Sequence, residues 1–147
     1  MARPGLSVCM VDNWLPAEEQ PESYKSTRDE HSRASRDRAA SHRREAQARA
    51  AKFGERAVII EANSVDAAAQ VPGASLDLVF LDADHSEEGV SADIAAWMSK
   101  VKPGGWIGGH DIDNADPRYD FSGVRRAVVR VFPDFETDMN FTWFARL

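Results

Sequence analysis

Four short apolar segments, separated by amphipathic or polar stretches, constrain the fold of this chain more than any other feature. The segments are LSVCMV (6–11), AVIIEA (57–62), LDLVFLD (76–82) and GWIGGHD (105–111). They are rich in Val, Ile, Leu and aromatic residues and show little alternation between apolar and polar positions. This composition is typical of parallel strands that are covered on both faces. Each segment is therefore predicted to form a buried strand.

Helical patterns lie between and after these segments. The sequence SVDAAAQV predicts a short helix, and residues 123–132 show a longer amphipathic pattern. A third helix is predicted before the KPGG turn, from residues at helical spacing: Val90, Ile94, Trp97, Met98 and Val101. The last residues predict two strands with a turn near 138–140. The alternation predicts a doubly wound, Rossmann-like α/β fold of about six mostly parallel strands with a C-terminal antiparallel hairpin.

Composition limits the size and surroundings of the protein. A chain of 147 residues that is 43% hydrophobic is predicted to form one domain, 1–147. The net charge of -6 argues against general nucleic-acid binding. No apolar stretch approaches the roughly 18 residues that span a bilayer, and no signal peptide is recognisable, so we expect a cytoplasmic protein without membrane contact. Cys9, in an apolar segment, is predicted to be a buried thiol.

Residues 25–56 differ from the rest of the chain because they are basic, with ten Lys or Arg against five Asp or Glu. They contain almost no large apolar residue before Phe53, so an exposed helix is predicted. The segment is either a solvated charged helix or a lid or arm for an anionic partner. Modification of nucleic acid through this helix would require binding that weakens steeply with salt.

Three titratable groups follow the third apolar segment, at Asp82, Asp84 and His85. In a doubly wound sheet, ligands bind at the C-terminal ends of the strands, so these side chains are candidate functional groups. His85 has an ordinary pKa near 6.5 and is able to take a proton from a substrate near neutral pH. The alternative is a capping residue that is hydrogen-bonded to Asp84 or Glu88.

Together the motifs resemble those of class I S-adenosylmethionine-dependent methyltransferases. They occur in the family's order and spacing: SVCMVDNW, NSVDAA, LDLVFLDADHSEEGVSADIAAWMSKVKPGGWIGGHDI and GVRRAVVRVF. The DADH and GGHD motifs are most similar to those of small-molecule O-methyltransferases. The resemblance implies a sheet with strand order 3-2-1-4-5-7-6 and methyl transfer from S-adenosylmethionine to a hydroxyl of a small-molecule acceptor, such as a sugar or a polyketide.

The resemblance also implies cofactor-binding residues. Asp12 would accept hydrogen bonds from the two ribose hydroxyls, or would instead cap a turn. Trp14 would pack near the adenosine, or would be an aromatic residue at the rim. Asn63 would bind the adenine amino group, and Ser64 would either contact the cofactor or cap a helix. Asp82 would lie in the cofactor site or in a metal site.

Some relatives bind a magnesium-type ion after the fourth and fifth strands, which corresponds here to Asp82, His110 and Asp111. Two carboxylates with waters suit magnesium, whereas His110 suits manganese, iron or zinc better, or no metal. His85 occupies the place of a catalytic Lys in some relatives and is the predicted base. The glycines at 108–109 would allow close approach of a ligand or of another backbone segment.

Relatives carry another strand and a Gly-rich cofactor loop before the strand that matches SVCMVD, where this chain has MARPG. We therefore expect an abbreviated fold whose sheet is split at strand 1. The gap would be closed by direct pairing of its neighbours, filled by a partner chain in a homo-oligomer, or left with impaired cofactor binding. In an alternative register SVCMVD is strand 1 and Glu61 is the ribose acid. A non-catalytic binding or assembly module that has lost the cofactor loop is the alternative function.

Overall fold

Strands and helices alternate along the chain as the apolar pattern predicts. The computed structural model describes residues 5–147. Its strands are β1 (Val8–Asp12), β2 (Ala57–Glu61), β3 (Leu76–Leu81), β4 (Val101–Gly109), β5 (Glu136–Asp138) and β6 (Thr142–Arg146). Its α-helices are α1 (Glu22–Ser26), α2 (Arg36–Ala50), α3 (Ser64–Ala69), α4 (Glu87–Trp97) and α5 (Ser122–Val131). None of the helices in this part of the chain is long and apolar enough to span a membrane.

The six strands lie in two separate ladders. β1 pairs with β2 in parallel, and the larger sheet has the order β3-β4-β6-β5, in which β3 and β4 are parallel and the last two pairings are antiparallel. The α/β, Rossmann-like fold class and the C-terminal hairpin are thus confirmed. Within residues 5–147 no ladder joins β1 to β3, so the sheet is divided at the place expected for an abbreviated fold.

The division also decides between the two registers. If the strand in SVCMVD were strand 1, it would pair with the LDLVFLD strand, which is β3. Both registers predict the observed pairing of β1 with β2, from Val8 opposite Ala57 to Asp12 opposite Glu61, but within residues 5–147 no ladder joins β1 to β3. The alternative register is therefore wrong, and direct closure of β1 onto β3 does not occur in the described structure.

Helices α3, α4 and α5 pack together and cover one face of the larger sheet. That face carries buried side chains from three adjacent strands, namely Val79, Ile107, Trp143 and Ala145. The helices contribute Ala67, Val90, Ile94, Trp97, Val124 and Val128 to the same core. Since α4 begins directly after the end of β3, with Ser86 as its N-cap, this packing also fixes the residues between the strand and the helix.

The opposite face of β3 is exposed, which corrects the prediction of strands covered on both sides. Leu78 is 51% exposed and Phe80 is 45% exposed. The ring of Phe80 lies 6.1 Å from that of Phe144, centroid to centroid, and the pair forms an apolar surface on this face. The prediction of a buried Cys9 is also wrong, because β1 belongs to a two-stranded ladder and the thiol is exposed.

The basic segment is an exposed helix only in part. Helix α2 is largely solvated, and Arg36 and Arg43 form ion pairs with acidic residues outside it. Residues 27–34 are different, because four of them are buried: Thr27, Asp29, Ser32 and Ala34. The carbonyl of Thr27 accepts a hydrogen bond from the backbone N–H of Asp120 at 2.8 Å. The expectation of an exposed helix over this part of the segment is therefore wrong.

Close packing between the first turns of α4 and α5 depends on a glycine. A Cβ added at Gly123 would lie 2.5 Å from the backbone nitrogen of Glu87, which cannot move independently of its helix. We expect Gly123→Ala to lower the free energy of unfolding by about 1–3 kcal/mol through overpacking. Gly73→Ala is the control, since its nearest neighbour would be the carbonyl oxygen of Ser99 at 3.5 Å. Urea unfolding measures both, and equal stabilities would contradict the packing argument.

Helix α4 buries one carboxyl group on its apolar side, that of Asp93, which is 6% exposed. Burial raises its pKa to about 6, although a hydrogen bond from Ser64 opposes the shift. A carboxyl pKa that rises on folding destabilises the native state above the folded pKa, and this penalty disappears as the pH falls from 6 towards the unfolded value of 3.8.

We therefore expect Asp93→Asn to stabilise the protein relative to the wild type at pH 7, by up to roughly 3 kcal/mol, and to do so progressively less towards pH 4. Unfolding in urea at several pH values measures the difference. Glu88→Gln, at an exposed position of the same helix, is the control. A difference between Asp93→Asn and the wild type that does not change with pH would contradict the argument.

Candidate functional site

Two parallel strands that end at the same level bring the charged residues together. Leu81 and Gly109, the last residues of β3 and β4, lie opposite each other. The backbone N–H of His110 donates to the carbonyl of Leu81 at 3.0 Å, which keeps the two chains together beyond the sheet. Asp82 therefore emerges beside His110 and Asp111.

Four side chains at these strand ends form what we call the strand-end cluster: Asp82, His85, His110 and Asp111. Nε2 of His85 lies 3.1 Å from Oδ2 of Asp111 and 3.4 Å from Oδ1 of Asp82. Nδ1 of His110 lies 3.0 Å from Oδ2 of Asp111 and 3.9 Å from Oδ1 of Asp82. The structure thus brings together the three predicted metal ligands and the predicted base.

His85 is the most tightly held member of the cluster. It is 6% exposed, its ring lies 4.5 Å from the ring of Phe121, and its Nδ1 is 2.9 Å from Oδ2 of Asp29. Its Nε2 is buried and makes no hydrogen bond within the described structure, although two carboxylate oxygens are near. The capping hypothesis for His85 is wrong, because its imidazole bonds Asp29, and Asp84 instead accepts a hydrogen bond from the backbone N–H of Ser86.

The charges around His85 favour its protonated form. Burial lowers its pKa, but the carboxylates of Asp29, Asp82 and Asp111 outweigh burial and raise the pKa to about 9. Burial raises the pKa of Asp29, because it disfavours the charged carboxylate. Hydrogen bonds from His85 and from the backbone N–H of His31 outweigh burial and lower that pKa below its ordinary value. The carboxylates around His85 therefore favour its imidazolium form. Its assignment as the base stays a prediction.

Asp111 is held in an unusual backbone conformation. Its φ is 61°, in the left-handed region, which costs a residue with a side chain about 1–3 kcal/mol. The residue is 7% exposed, and its Oδ1 accepts a hydrogen bond from the amide of Asn114 at 2.6 Å. This conformation and the Asn114 contact fix the position of the other oxygen, Oδ2, between the two histidines.

The glycines before His110 provide space for protein rather than for a ligand. A Cβ at Gly108 would lie 2.5 Å from the ring of Phe144, and one at Gly109 would lie 2.8 Å from Nε1 of Trp143. Strand β6 therefore packs directly against both positions. Of the two explanations that the sequence allows, close approach of another part of the chain is the one that the structure shows.

The predicted cofactor residues lie at the ends of β1 and β2. Oδ1 of Asp12 accepts a hydrogen bond from the backbone N–H of Trp14 at 2.8 Å, so Asp12 does cap a turn, and its carboxylate remains exposed. Trp14 is half-buried with φ of 44°. Asn63 is the N-cap of α3, and the hydroxyl of Ser64 accepts a hydrogen bond from Nε1 of Trp97 at 2.8 Å. The side chains of Asn63 and Ser64 are thus already hydrogen-bonded within the protein.

Tyr24, which sequence reasoning missed, links the two groups of predicted residues. It is 8% exposed, and burial raises the pKa of its hydroxyl. Nearby carboxylates raise that pKa further; they are Asp29, Asp84, Asp12 and Asp82. The ends of β1 and β3 therefore contribute carboxylates to one region, although their strands are not paired.

Asp29 is a second residue that sequence reasoning missed. It lies in the basic segment, where a single acid among many charges carries no recognisable signal. Asp93 could have been found, since it falls within the apolar stripe of α4 between Val90 and Trp97.

The donor atoms of the cluster do not fit the magnesium-type ion that the resemblance implies. One ligand atom each from Asp82, His85 and Asp111 lie within 4.8 Å of one another. His110 adds a second imidazole nitrogen on the same side, 3.0 Å from the carboxylate of Asp111. Magnesium prefers oxygen ligands and retained waters, whereas imidazole suits zinc, iron and manganese.

Comparisons with known proteins agree with this architecture. The structure resembles that of a protein from Corynebacterium glutamicum, with a TM-score of 0.53 and 18% identity over 71% of this chain and 55% of that one. It also resembles the O-methyltransferase NovP, with a TM-score of 0.55 and 14% identity over 95% of this chain and 59% of NovP. At such identities the likeness shows the fold alone, and the chain spans somewhat more than half the length of each.

No curated protein sequence matches the chain significantly. A family model described as "Methyltransferase domain" matches residues 3–112, which is most of the chain and includes both halves of the strand-end cluster. The chain therefore belongs to this methyltransferase domain family.

Proposed function

We propose that this protein transfers a methyl group from S-adenosylmethionine to a hydroxyl of a small molecule. Membership of the methyltransferase domain family supports methyl transfer. The observation that carries the choice of a hydroxyl is the strand-end cluster, where two imidazoles and two carboxylates converge at the ends of β3 and β4. NovP, which shares the fold, is named an O-methyltransferase.

Asp12 has the main cofactor-binding role in this proposal. Its exposed carboxylate at the end of β1 is able to accept hydrogen bonds from both ribose hydroxyls. Trp14, two residues later, would flank the adenosine. Asn63 already uses its side chain to cap α3, and Ser64 already accepts a bond from Trp97, so these two have less capacity for the cofactor.

The reaction needs a hydroxyl oxygen in line with the sulfonium methyl group and a place for the hydroxyl proton. The methyl group leaves sulfur for oxygen, S-adenosylhomocysteine is released, and the proton passes to the strand-end cluster. His85 and Asp111 are buried there, whereas Asp82 and His110 reach solvent. The acceptor would therefore approach from the side of Asp82 and His110.

An open cleft is separated from His85 by the ring of Phe121 and has the size expected for a small acceptor, although none of the four cluster residues lines it. Its volume is about 460 Å³, and its lining includes Arg28, Tyr119 and Phe121. The ring of Phe121 contacts that of His85, and Tyr119 stacks on Phe121 with 4.9 Å between centroids. Pockets of this size and aromatic character are typical of small-molecule sites.

A non-catalytic binding or assembly module is the second candidate. The observation that favours it is the division of the sheet between β1 and β3, which leaves one edge of each strand without a ladder partner in the described structure. Unpaired edges are available for a further strand, including one from a second copy of the chain.

Cofactor binding tests the first part of the proposal. We expect S-adenosylhomocysteine to bind saturably in a calorimetric titration and Asp12→Asn to weaken binding about 10- to 100-fold, because hydrogen bonds to a charged group contribute roughly 1.5–3 kcal/mol. Asp134→Asn changes an exposed carboxylate elsewhere and is the control. Absence of binding in the wild type would overturn the proposal and favour the second candidate.

Turnover tests the second part. With radiolabelled S-adenosylmethionine and a panel of catechol and hexose acceptors, we expect label to be transferred by the wild type and by Asp134→Asn. His85→Gln is expected to lose at least 100-fold in rate while S-adenosylhomocysteine still binds, since the cluster acts on the proton of the acceptor. If His85→Gln changes only the melting temperature, and no acceptor is methylated, the enzyme hypothesis is wrong.

A further inference from the structure

We propose that Arg28 is a positioning residue whose guanidinium holds residues 117–121, which we call the cleft loop, so that Phe121 lies against His85 and forms one wall of the open cleft. In the enzyme, this loop would determine how tightly the acceptor binds, and that part of the inference rests on the proposed function. The hold on the loop does not depend on methyl transfer. Nothing in the sequence distinguishes Arg28 from the other basic residues of 25–56.

The side chain of Arg28 makes two hydrogen bonds to the backbone of the cleft loop. One terminal nitrogen, Nη1, donates to the carbonyl of Pro117 at 3.2 Å, and the other, Nη2, donates to the carbonyl of Tyr119 at 3.0 Å. Because the guanidinium is a rigid planar fork, two such bonds fix the orientation of the loop as well as its distance. A lysine amine is a single donor centre and cannot reproduce this geometry.

The residues next to Arg28 bond the same loop. The carbonyl of Thr27 accepts a hydrogen bond from the backbone N–H of Asp120 at 2.8 Å, and Oε1 of Glu30 accepts one from the hydroxyl of Tyr119 at 3.2 Å. In the described part of the chain, no other residue before position 111 is hydrogen-bonded to residues 117–121. The loop is therefore attached to the N-terminal part of the chain through this one short segment.

The backbone of Arg28 shows that this position has a cost. Arg28 follows Thr27, the C-cap of α1, and its φ is 63°, in the left-handed region. Glycine or asparagine is usual in this conformation at the end of a helix, and a larger side chain is less stable there. An arginine at this position makes two bonds that glycine cannot make, which supports a role for its side chain.

The segment also holds the other partner of the Phe121 ring. Asp29, the residue after Arg28, lies 2.9 Å from Nδ1 of His85, and the rings of His85 and Phe121 are 4.5 Å apart. Arg28 and Asp29 thus fix the two sides of one ring contact from adjacent positions. A change at Arg28 that releases the loop would separate Phe121 from His85 while the bond of Asp29 remains.

The cleft explains what the hold on the loop would do for an acceptor. Arg28, Tyr119 and Phe121 all line it, and the two aromatic rings are stacked with 4.9 Å between their centroids. An acceptor in the cleft would contact this stack, so release of the loop would weaken acceptor binding. Asp12, the main residue proposed for the cofactor, lies at the end of β1 and has no bond to the loop. Cofactor binding would therefore stay unchanged.

Nuclear magnetic resonance tests the hold on the loop without any activity assay. Arg28→Met keeps a long side chain and removes its donors. We expect hydrogen exchange of the Asp120 amide to become at least tenfold faster, and the ring protons of His85 to change chemical shift because the ring current of Phe121 acts on them. Arg28→Lys is expected to give intermediate values. Arg33→Met is the control, since Arg33 is exposed and its side chain makes no hydrogen bond within the described structure.

Kinetics test the effect on the acceptor. With an acceptor that the wild type methylates, Arg28→Met is expected to raise the acceptor KM at least tenfold and to change kcat less than threefold. The affinity for S-adenosylhomocysteine is expected to stay the same. Arg28→Gly suits the left-handed backbone and lacks the guanidinium, so we expect it to behave as Arg28→Met does. A wild-type result for Arg28→Gly would mean that the side chain has no such role, and the proposal would be wrong.

Equal exchange of the Asp120 amide and equal His85 shifts in Arg28→Met and the wild type would also overturn the proposal. A fall in kcat at constant KM would overturn its acceptor part. If the wild type neither binds S-adenosylhomocysteine nor methylates any acceptor, the proposed function fails, and the exchange measurement still decides whether Arg28 holds the loop. Circular dichroism confirms folding of each variant, and Arg28→Lys decides the outcome if Arg28→Met does not fold.

Discussion

The parallel pairing of β3 with β4 determines where the charged groups of the site lie. Because Leu81 and Gly109 are opposite each other, the chain leaves both strands at one level, and Asp82 emerges beside His110 and Asp111. β6 pairs with the other edge of β4 and packs against the glycines at its end. A shift of register by one residue would reverse the faces on which these side chains lie.

The ion pair between His85 and Asp29 connects this sheet edge to the N-terminal part of the chain. Both side chains are buried, so each would leave an uncompensated charge if the other were removed. Residues 27–34 are therefore part of the site, while helix α2 that follows is mostly solvated. Only five of the ten basic residues of 25–56 lie in the solvated helix, and the basic character of the whole segment conceals an acid with a different role.

The two ladders give the fold an uneven core. Helices α3, α4 and α5 cover one face of the larger sheet, and the other face of β3 is exposed at Leu78 and Phe80. β1 and β2 form a separate pair. Nevertheless, the carboxylate of Asp12 at the end of β1 and that of Asp82 both raise the pKa of Tyr24. The strand ends thus converge on one region without a continuous ladder between them.

The sequence by itself determined the strands, the helices, the α/β fold class and the presence of charged groups at the ends of β3 and β4. These features depend on local patterns: apolar runs, helical spacing and the residues that follow each strand. Only the tertiary structure decided that β1 pairs with β2 alone, that Cys9 and one face of β3 are exposed, and that Asp29 orients His85. Such contacts join residues 56 positions apart, as in His85 and Asp29, and depend on which elements cover each surface. Local sequence patterns do not predict contacts between residues so far apart in the sequence, because the packing of the whole chain determines which side chains are buried and paired.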